Sequence, residues 1–412
     1  MMKIRLVKGS NILGSNLYSG MMKIKDLLEY YDIPRYSHSD PKGKGYQRIP
    51  KKARLDAVRD RFAAQPNNPE ALLDNINLNI RDARVEKTYC KPLAGEKPEP
   101  GHAHVLEIVE GHVKFWVVDG QTRLLGAQKA IDHFKDEGLT KSVEELENTL
   151  IGINLTFNED FMKEAYIFYL LNQYSKNLPA DGAIRLMVDG HDGKSPEFTN
   201  EITTKRKESE VGAMKVVEKL SRDSEVWVQR IREYNQEGDQ NTIISARALA
   251  LTIKPIYAYF QQLKQNPGDK SGLDTGQPAE VITHKIVEAF WCGLSDIFPD
   301  MFHPQKRTFY NIMKSSQAEV MMKILYYMLE GKYGGALSKL MGSLIQRSTY
   351  SKLLHPVLTN FADANASNQR TTGQKCWLAG KDGSMGKYTS AQAKKEITTK
   401  LIKAFEKHHK VA

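Results

Sequence analysis

The stretch VVDGQTRLLGAQ, residues 117–128, passes from an apolar run into an amphipathic one. At the change it places an acid, a glycine, a glutamine, a threonine and an arginine. Leu124, Ala127, Ile131 and Phe134 then recur at helical spacing, and Gly138 stands near the end of that pattern. The pattern predicts a strand ending at Val118, a turn at Gly120 and a helix beginning near Thr122. Glycine suits a tight or left-handed turn. The first N–H groups of a helix have no partner inside it, and the helix dipole is positive there. Such a junction can receive a phosphate. In that reading Arg123 adds a charge-assisted, bidentate contact. Thr122 adds a hydroxyl donor, and Gln121 reads a ligand or orients a water. Asp119 also reads as a helix cap, and the whole string also reads as a structural turn with a salt-bridged arginine.

Working outward, the first part of the chain reads as mixed α/β. Residues 24–33 and 46–62 carry helical spacing, the latter with Pro50 in its first turn and Leu55, Val58 and Phe62 on one face. Residues 104–119, HVLEIVEGHVKFWVVD, read as a hairpin turning at Glu110-Gly111. Residues 150–158 alternate like a strand, and 161–178 read as a helix closed by Pro179. Beyond about residue 185 strand signals become few. Residues 213–235, 243–265, 281–296, 314–330, 337–354 and 391–408 all carry helical periodicity, with a Pro/Gly-rich linker at 266–278. The expected class is α+β: an N-terminal α/β domain, then a larger all-helical one. The divisions are an N-terminal arm at 1–40, a nucleotide-binding domain at 41–185 and a helical domain at 186–412.

The chain has 412 residues and a formal net charge of +10, which suits a polyanion such as nucleic acid. A solvated basic face without a partner accounts for the charge equally well. No apolar run approaches the roughly 20 residues needed to cross a bilayer. No signal-peptide pattern opens the chain, so a cytoplasmic protein without membrane contact is expected. Cys90, Cys292 and Cys376 form no Cys-x-x-Cys or Cys/His pattern, so neither a disulfide framework nor a metal site is expected.

DGQTR, residues 119–123, resembles the DGQHR signature of a family related to ParB and sulfiredoxin proteins, with DndB-like and DpdB-like members. YQR at 46–48 with Arg54, and FYLLNQYSKNL at 168–178, resemble two further segments of that family. Looser resemblance runs through SEVWVQRI at 224–231 and YNIMKSSQAEVM at 310–321. The family's histidine is Thr122 in this chain. A role that needs imidazole does not transfer, whereas phosphate holding does.

The resemblance implies a ParB/sulfiredoxin-like N-terminal domain that binds ATP or another nucleoside triphosphate, with Mg2+ carried by the nucleotide. Arg48, Gly120, Gln121, Thr122, Arg123, Asn172 and Lys176 are the implied nucleotide-binding residues, and Asp119 and Gln121 the catalytic candidates. Taken from the residues alone, Asn172 and Lys176 also read as a solvent-facing helix end, and Arg48 as a contact to DNA. The implied function is a nucleotide-binding, ATP-hydrolysing accessory protein of a DNA-modification system, DpdB-like and tied to 7-deazaguanine insertion into DNA. Its alternatives are a DndB-like DNA-binding transcriptional regulator of a phosphorothioation system and a non-enzymatic scaffold. DNA and the modification enzymes of the same system are the implied partners, and an oligomer is compatible with either.

Two other signals carry less. GKDGSMGKYTS, residues 380–390, departs from the P-loop pattern in spacing and in the residue after Lys387, and reads as a flexible loop. His102, His104 and His112 lack acidic or cysteine partners in sequence that would complete a metal site.

Overall fold

The computed structural model describes residues 2–36, 45–64, 74–109, 111–158, 160–174, 180–233, 242–265, 277–306, 309–330, 343–365 and 367–409. The chain divides into two compact units. One is Met1–Pro179 with Gly190–Phe198, the other Ala180–Asp189 with Thr199–Ala412. The class is α+β, an eight-stranded sheet followed by a mostly helical region.

The first unit is built on strands β1 (Met2–Ile12), β2 (Ser15–Lys23), β3 (Tyr31–Asp32), β4 (Ile76–Ile80), β5 (Cys90–Pro92), β6 (Ala103–Ile108), β7 (Phe115–Asp119) and β8 (Leu150–Phe157). Their order across the sheet is β3-β7-β4-β8-β2-β1-β6-β5. Two expectations are corrected by this order. Within 1–40, residues 2–23 are no arm, because β1 and β2 form an antiparallel hairpin inside the sheet. Residues 104–119 are no hairpin either. β6 pairs with β1 and β5, while β7 pairs with β3 and β4 several strands away. The reason is hydrophobic register. Ile4 and Leu6 of β1 alternate into the same core as Leu106 and Ile108 of β6, and that shared burial outweighs the short connection.

One sheet face is apolar. Ile76, Leu78 and Ile80 of β4, Phe115 and Val117 of β7, and Ile151, Ile153, Leu155 and Phe157 of β8 all point into it. Helices α1 (Ile24–Tyr30), α2 (Lys52–Ala64), α4 (Gln121–Asp136) and α5 (Thr140–Asn148) supply Leu27, Phe62, Ile131 and Leu146 to the same core. A further helix, α3 (Ala83–Tyr89), contributes Val85. The segment 46–50 is extended, not helical, and α2 begins only at Lys52. Gly126 explains how closely α2 crosses α4, since a Cβ there would lie 2.4 Å from Val58 Cγ1. Lys129 and Asp56 pair at 2.8 Å across the same crossing.

The opposite sheet face is polar where β4 and β8 cross it, and α6 (Phe161–Tyr174) covers part of it. Glu164 of α6 is fully buried there. It accepts from Tyr46 Oη at 2.8 Å, Asn79 Nδ2 at 2.7 Å, and Arg81 Nε and a terminal nitrogen at 2.8 and 2.7 Å. The Arg81 guanidinium lies 3.7 Å from the centre of the Trp116 ring. This buried charge is therefore paired, hydrogen-bonded and stacked, the condition under which a charge persists inside a protein.

The second unit contains α9 (Glu208–Asp223), α10 (Ala246–Gln265), α11 (Ala279–Ile297), α13 (Ser315–Leu329), α14 (Arg347–Asn360) and α15 (Ala391–His409), with α7 (Ala180–Asp192), α8 (Pro196–Thr204) and α12 (Pro299–Phe302) also helical in the chain. Its centre holds Trp227 against Trp291, edge to face at 4.8 Å. It is not purely helical. Ile231–Arg232 pairs with Ile244–Ser245, and Ala362–Ala364 with Arg370–Thr372. Residues 380–390 are no flexible loop. Ser384 and Met385 are fully buried, and Lys387 Nζ donates to Ala364 O at 2.6 Å. Among the described residues, no helix is long and apolar enough to cross a membrane.

Candidate functional site

The site forms where β7 becomes α4. The register Asn77↔Asp119, Leu78↔Val117, Asn79↔Trp116 leaves Val118 unmatched, a β-bulge in the last turn of the strand. Plain alternation from Phe115 and Val117 would send Asp119 into the apolar core. The extra residue resets the alternation and pairs Asp119 with Asn77 instead. A bulge leaves neighbouring carbonyls without ladder partners, and Gln47 supplies them. Its Nε2 donates to Val117 O and, at 3.0 Å, to Val118 O. Gln47 is itself held by backbone bonds from its N–H to Pro34 O and from Tyr36 N–H to its carbonyl.

Gly120 follows with φ +96° and caps α4 without a side-chain bond. Asp119 is therefore not the cap, because α4 starts at Gln121, one residue too late for its side chain to serve as one. An L-side chain at Gly120 would put Cβ 3.1 Å from both Ile76 Cγ1 and an Arg123 nitrogen. The N–H groups of Arg123 and Leu124 return to Gly120 O. Those of Gln121 and Thr122 meet no acceptor among the described residues, as expected for a helix opening.

Around this opening the side chains divide into two groups. Arg123 is committed to the fold. Its two terminal nitrogens donate to Asp74 O and, at 3.1 Å, to Asn75 O, fixing the approach to β4. Both terminal nitrogens expected to meet a phosphate thus bond backbone carbonyls in this structure. Gln121 Nε2 donates to Arg48 O at 3.2 Å, while its Oε1 is buried with no donor among the described residues. The Asp119 carboxylate, Thr122 hydroxyl and Arg48 guanidinium are half-buried and form no hydrogen bond or ion pair among the described residues.

A row of polar side chains leads to this point across four strands. Ser19 pairs in register with Asn154, Asn154 with Asn77, and Asn77 with Asp119. Ser19 Oγ donates to Asn154 Oδ1 at 2.9 Å, and Asn154 Nδ2 to Asn77 Oδ1 at 3.1 Å. Asn75 Nδ2 joins at 3.0 Å. All four residues of the row are half-buried.

Family models, curated proteins and solved structures offer no match to the chain.

The geometry brings together two segments that are far apart in sequence, 46–48 and 119–123, through Gln47 on the bulge and Gln121 on Arg48. Asn172 sits on α6, and its Nδ2 donates back to Phe168 O at 2.9 Å. Phe161, Glu164, Phe168 and Asn172 follow at spacings of three and four, so they share one helix face. Phe161 and Phe168 hold the Tyr46 ring at 5.7 and 4.9 Å. Asn172 thus continues that face one turn further. Lys176 lies outside the described residues. His102 pairs with Glu96 at 2.6 Å and His104 packs edge-on against Tyr18. No group of three or more metal-ligating side chains occurs among the described residues.

Sequence reasoning missed Gln47, Ser19, Asn77 and Asn154. For Asn77 and Asn154 the signal was present in the asparagines set among apolar residues in INLNI (76–80) and LIGINLTFN (150–158), whereas Gln47 and Ser19 carried none. Such a pattern marks a strand with one polar face.

Proposed function

We propose that the chain is a cytoplasmic nucleotide-binding protein that hydrolyses its nucleotide, with ATP the first candidate, and works on DNA alongside DNA-modification enzymes. The observation that carries the reading is Gln121 Oε1, a buried acceptor with no donor among the described residues, at the first residue of a helix whose opening N–H groups also meet no acceptor among them. A buried acceptor left unmade costs about 1–3 kcal/mol, so this oxygen calls for a donor from ligand or water. The likeness of DGQTR, YQR and the 168–178 segment to the DGQHR family supports the same reading.

The residues present fit a phosphate. The Gln121 and Thr122 N–H groups, the Thr122 hydroxyl and the Arg48 guanidinium supply donors and positive charge. Asp119 would repel a bare phosphate, and fits one that brings its own divalent cation. The nucleotide with Mg2+ supplies the phosphoanhydride bond and the Lewis acidity. Gln121 Oε1 would accept a hydrogen bond from a water bound with the nucleotide and so orient it. The Arg48 carbonyl holds the Gln121 amide so that the oxygen, not the nitrogen, faces the ligand. Asn172, one turn beyond Phe168 on the α6 face, is proposed as a further contact to the nucleotide. For DNA, the net charge of +10 and the exposed Lys395, Lys403 and Lys407 of α15 supply sequence-tolerant phosphate contact.

Phosphate release from ATP, with and without duplex DNA, tests the proposal. Gln121→Leu keeps the shape but removes the acceptor. It is expected to cut turnover by about a hundredfold or more, the scale of a water-positioning or acid–base group, with little change in ATP affinity. No release by the wild type under either condition, or unchanged release by Gln121→Leu, overturns the hydrolytic reading.

A further inference from the structure

In the second unit, a cleft of about 570 Å³ is lined by Phe298, Tyr310, Gln374, Lys375 and Leu378, with threonines at positions 359 and 372. The volume lies within the usual range for a small-ligand site. Its construction is specific. Residues 309–311 run antiparallel to 377–379, through the Tyr310↔Leu378 bridge and the bonds Asn311 N–H to Trp377 O at 2.8 Å and Ala379 N–H to Phe309 O at 2.7 Å. This pairing fixes the Tyr310 ring as one wall. Trp377 and Cys376 behind it are buried, so the wall is backed by core.

The polar groups in the cleft are ordered by their own bonds. Gln374 Nε2 donates to Tyr310 Oη at 2.7 Å. With its nitrogen so engaged, Gln374 presents its oxygen as an acceptor. The Tyr310 hydroxyl accepts from Gln374, which leaves its own proton to donate. A donor and an acceptor therefore stand side by side against an aromatic wall. One cation stands at the rim. Lys375 lines the cleft and is exposed.

We propose that this cleft binds one unstacked nucleobase of a DNA strand. The Tyr310 ring stacks on the base, the Tyr310 hydroxyl and Gln374 oxygen bond its edge, and Lys375 holds a flanking phosphate. The chemistry follows from the parts. An aromatic face with a positive rim is the arrangement that binds single-stranded nucleic acid, each stacked base contributing about 1–3 kcal/mol. A donor–acceptor pair matches the Watson–Crick edge that a base exposes once it leaves the helix. The inference stands on residues of the second unit alone and does not depend on the nucleotide reading of DGQTR.

The test is fluorescence anisotropy of the full chain with a labelled twelve-nucleotide thymidine strand and a fully abasic strand of equal length and charge. Thymidine 5′-monophosphate serves as competitor. The wild type is expected to bind the thymidine strand at least tenfold more tightly than the abasic one. Tyr310→Phe, which keeps the ring, should lose about five- to tenfold on the thymidine strand and nothing on the abasic one. Lys375→Ala should weaken both. Equal binding of the two strands, or wild-type binding by Tyr310→Phe and Tyr310→Ala alike, overturns the proposal. Competition by the free monophosphate at the same concentration as the strand overturns the assignment to DNA.

Discussion

The amide nitrogen of Gln47 donates to two consecutive carbonyls, Val117 O and Val118 O, and so closes the bulge that turns Asp119 towards Asn77. One side chain from a distant segment therefore sets the direction in which β7 ends. Replacing it by Leu leaves two buried carbonyls without donors. Gln47→Leu is expected to lower stability by about 1–3 kcal/mol, read as a reduced urea midpoint with unchanged slope. Gln47→Glu should be worse, because its carboxylate oxygens would face carbonyl lone pairs. A wild-type midpoint in both variants would show that the bulge holds itself.

Gly120 is the other half of that turn. Its φ of +96° and the two 3.1 Å approaches to a Cβ make any side chain costly. Gly120→Ala should destabilise by about 1–3 kcal/mol, and Gly120→Val by more, since a β-branched residue resists positive φ. Thermal unfolding followed by circular dichroism measures both. Equal melting of wild type and Gly120→Val would contradict the left-handed turn.

Much of this region can be read from sequence, and its failures have physical causes. The strand, the glycine turn and α4 follow from apolar spacing around residues 117–134, because a strand-to-helix change alters the period of burial. The bulge at Val118 does not follow, because one inserted residue leaves no mark in a short apolar run. The partner of β6 was hidden for a different reason. A Gly111 turn between two β-rich runs favours a local hairpin, and only the long-range burial of Ile4 and Leu6 beside Leu106 and Ile108 decides otherwise. The β1–β2 turn was hidden by Leu13, a non-glycine residue at φ +51° before Gly14. Arg123 could be identified as a polar group at the turn, but its commitment to Asp74 and Asn75 carbonyls depends on a segment nearly fifty residues earlier.

Glu164 and Arg81 form a buried pair, with side-chain exposures of 0% and 13%. Removing one partner strands the other charge. Glu164→Leu is expected to cost about 3–5 kcal/mol, while the double change Glu164→Leu with Arg81→Met should cost less than that single change. Urea denaturation of the two variants decides the point. A double variant less stable than Glu164→Leu would mean that the pair is not what the arginine is there for.

Asp363 gives the second unit an acid sensitivity. Burial by itself pushes its carboxyl up, but the bond from Tyr388 and the charges of Lys400 and Lys387 outweigh burial and hold it below the usual carboxylate range. A depressed carboxylate contributes stability that is fully present above its unfolded value of about 3.9 and is lost as pH falls through the lower folded value. Asp363→Asn should therefore destabilise the protein at pH 6, and the gap from wild type should shrink between about pH 4 and pH 2. Denaturant midpoints across that range measure it, and a gap that stays constant with pH contradicts the network.

The turn opening α4 is proposed to hold the phosphates of a nucleotide, and calorimetric titration with ATP, CTP and GTP in the presence of Mg2+ tests this. At least one triphosphate should bind the wild type at a single site. Arg48→Ala should bind it roughly ten- to a hundredfold more weakly, the loss of a charged hydrogen bond of about 1.5–3 kcal/mol, with an unchanged melting temperature. Absence of binding for all three, or Arg48→Ala binding as tightly as the wild type, would contradict it and leave the turn as a structural junction.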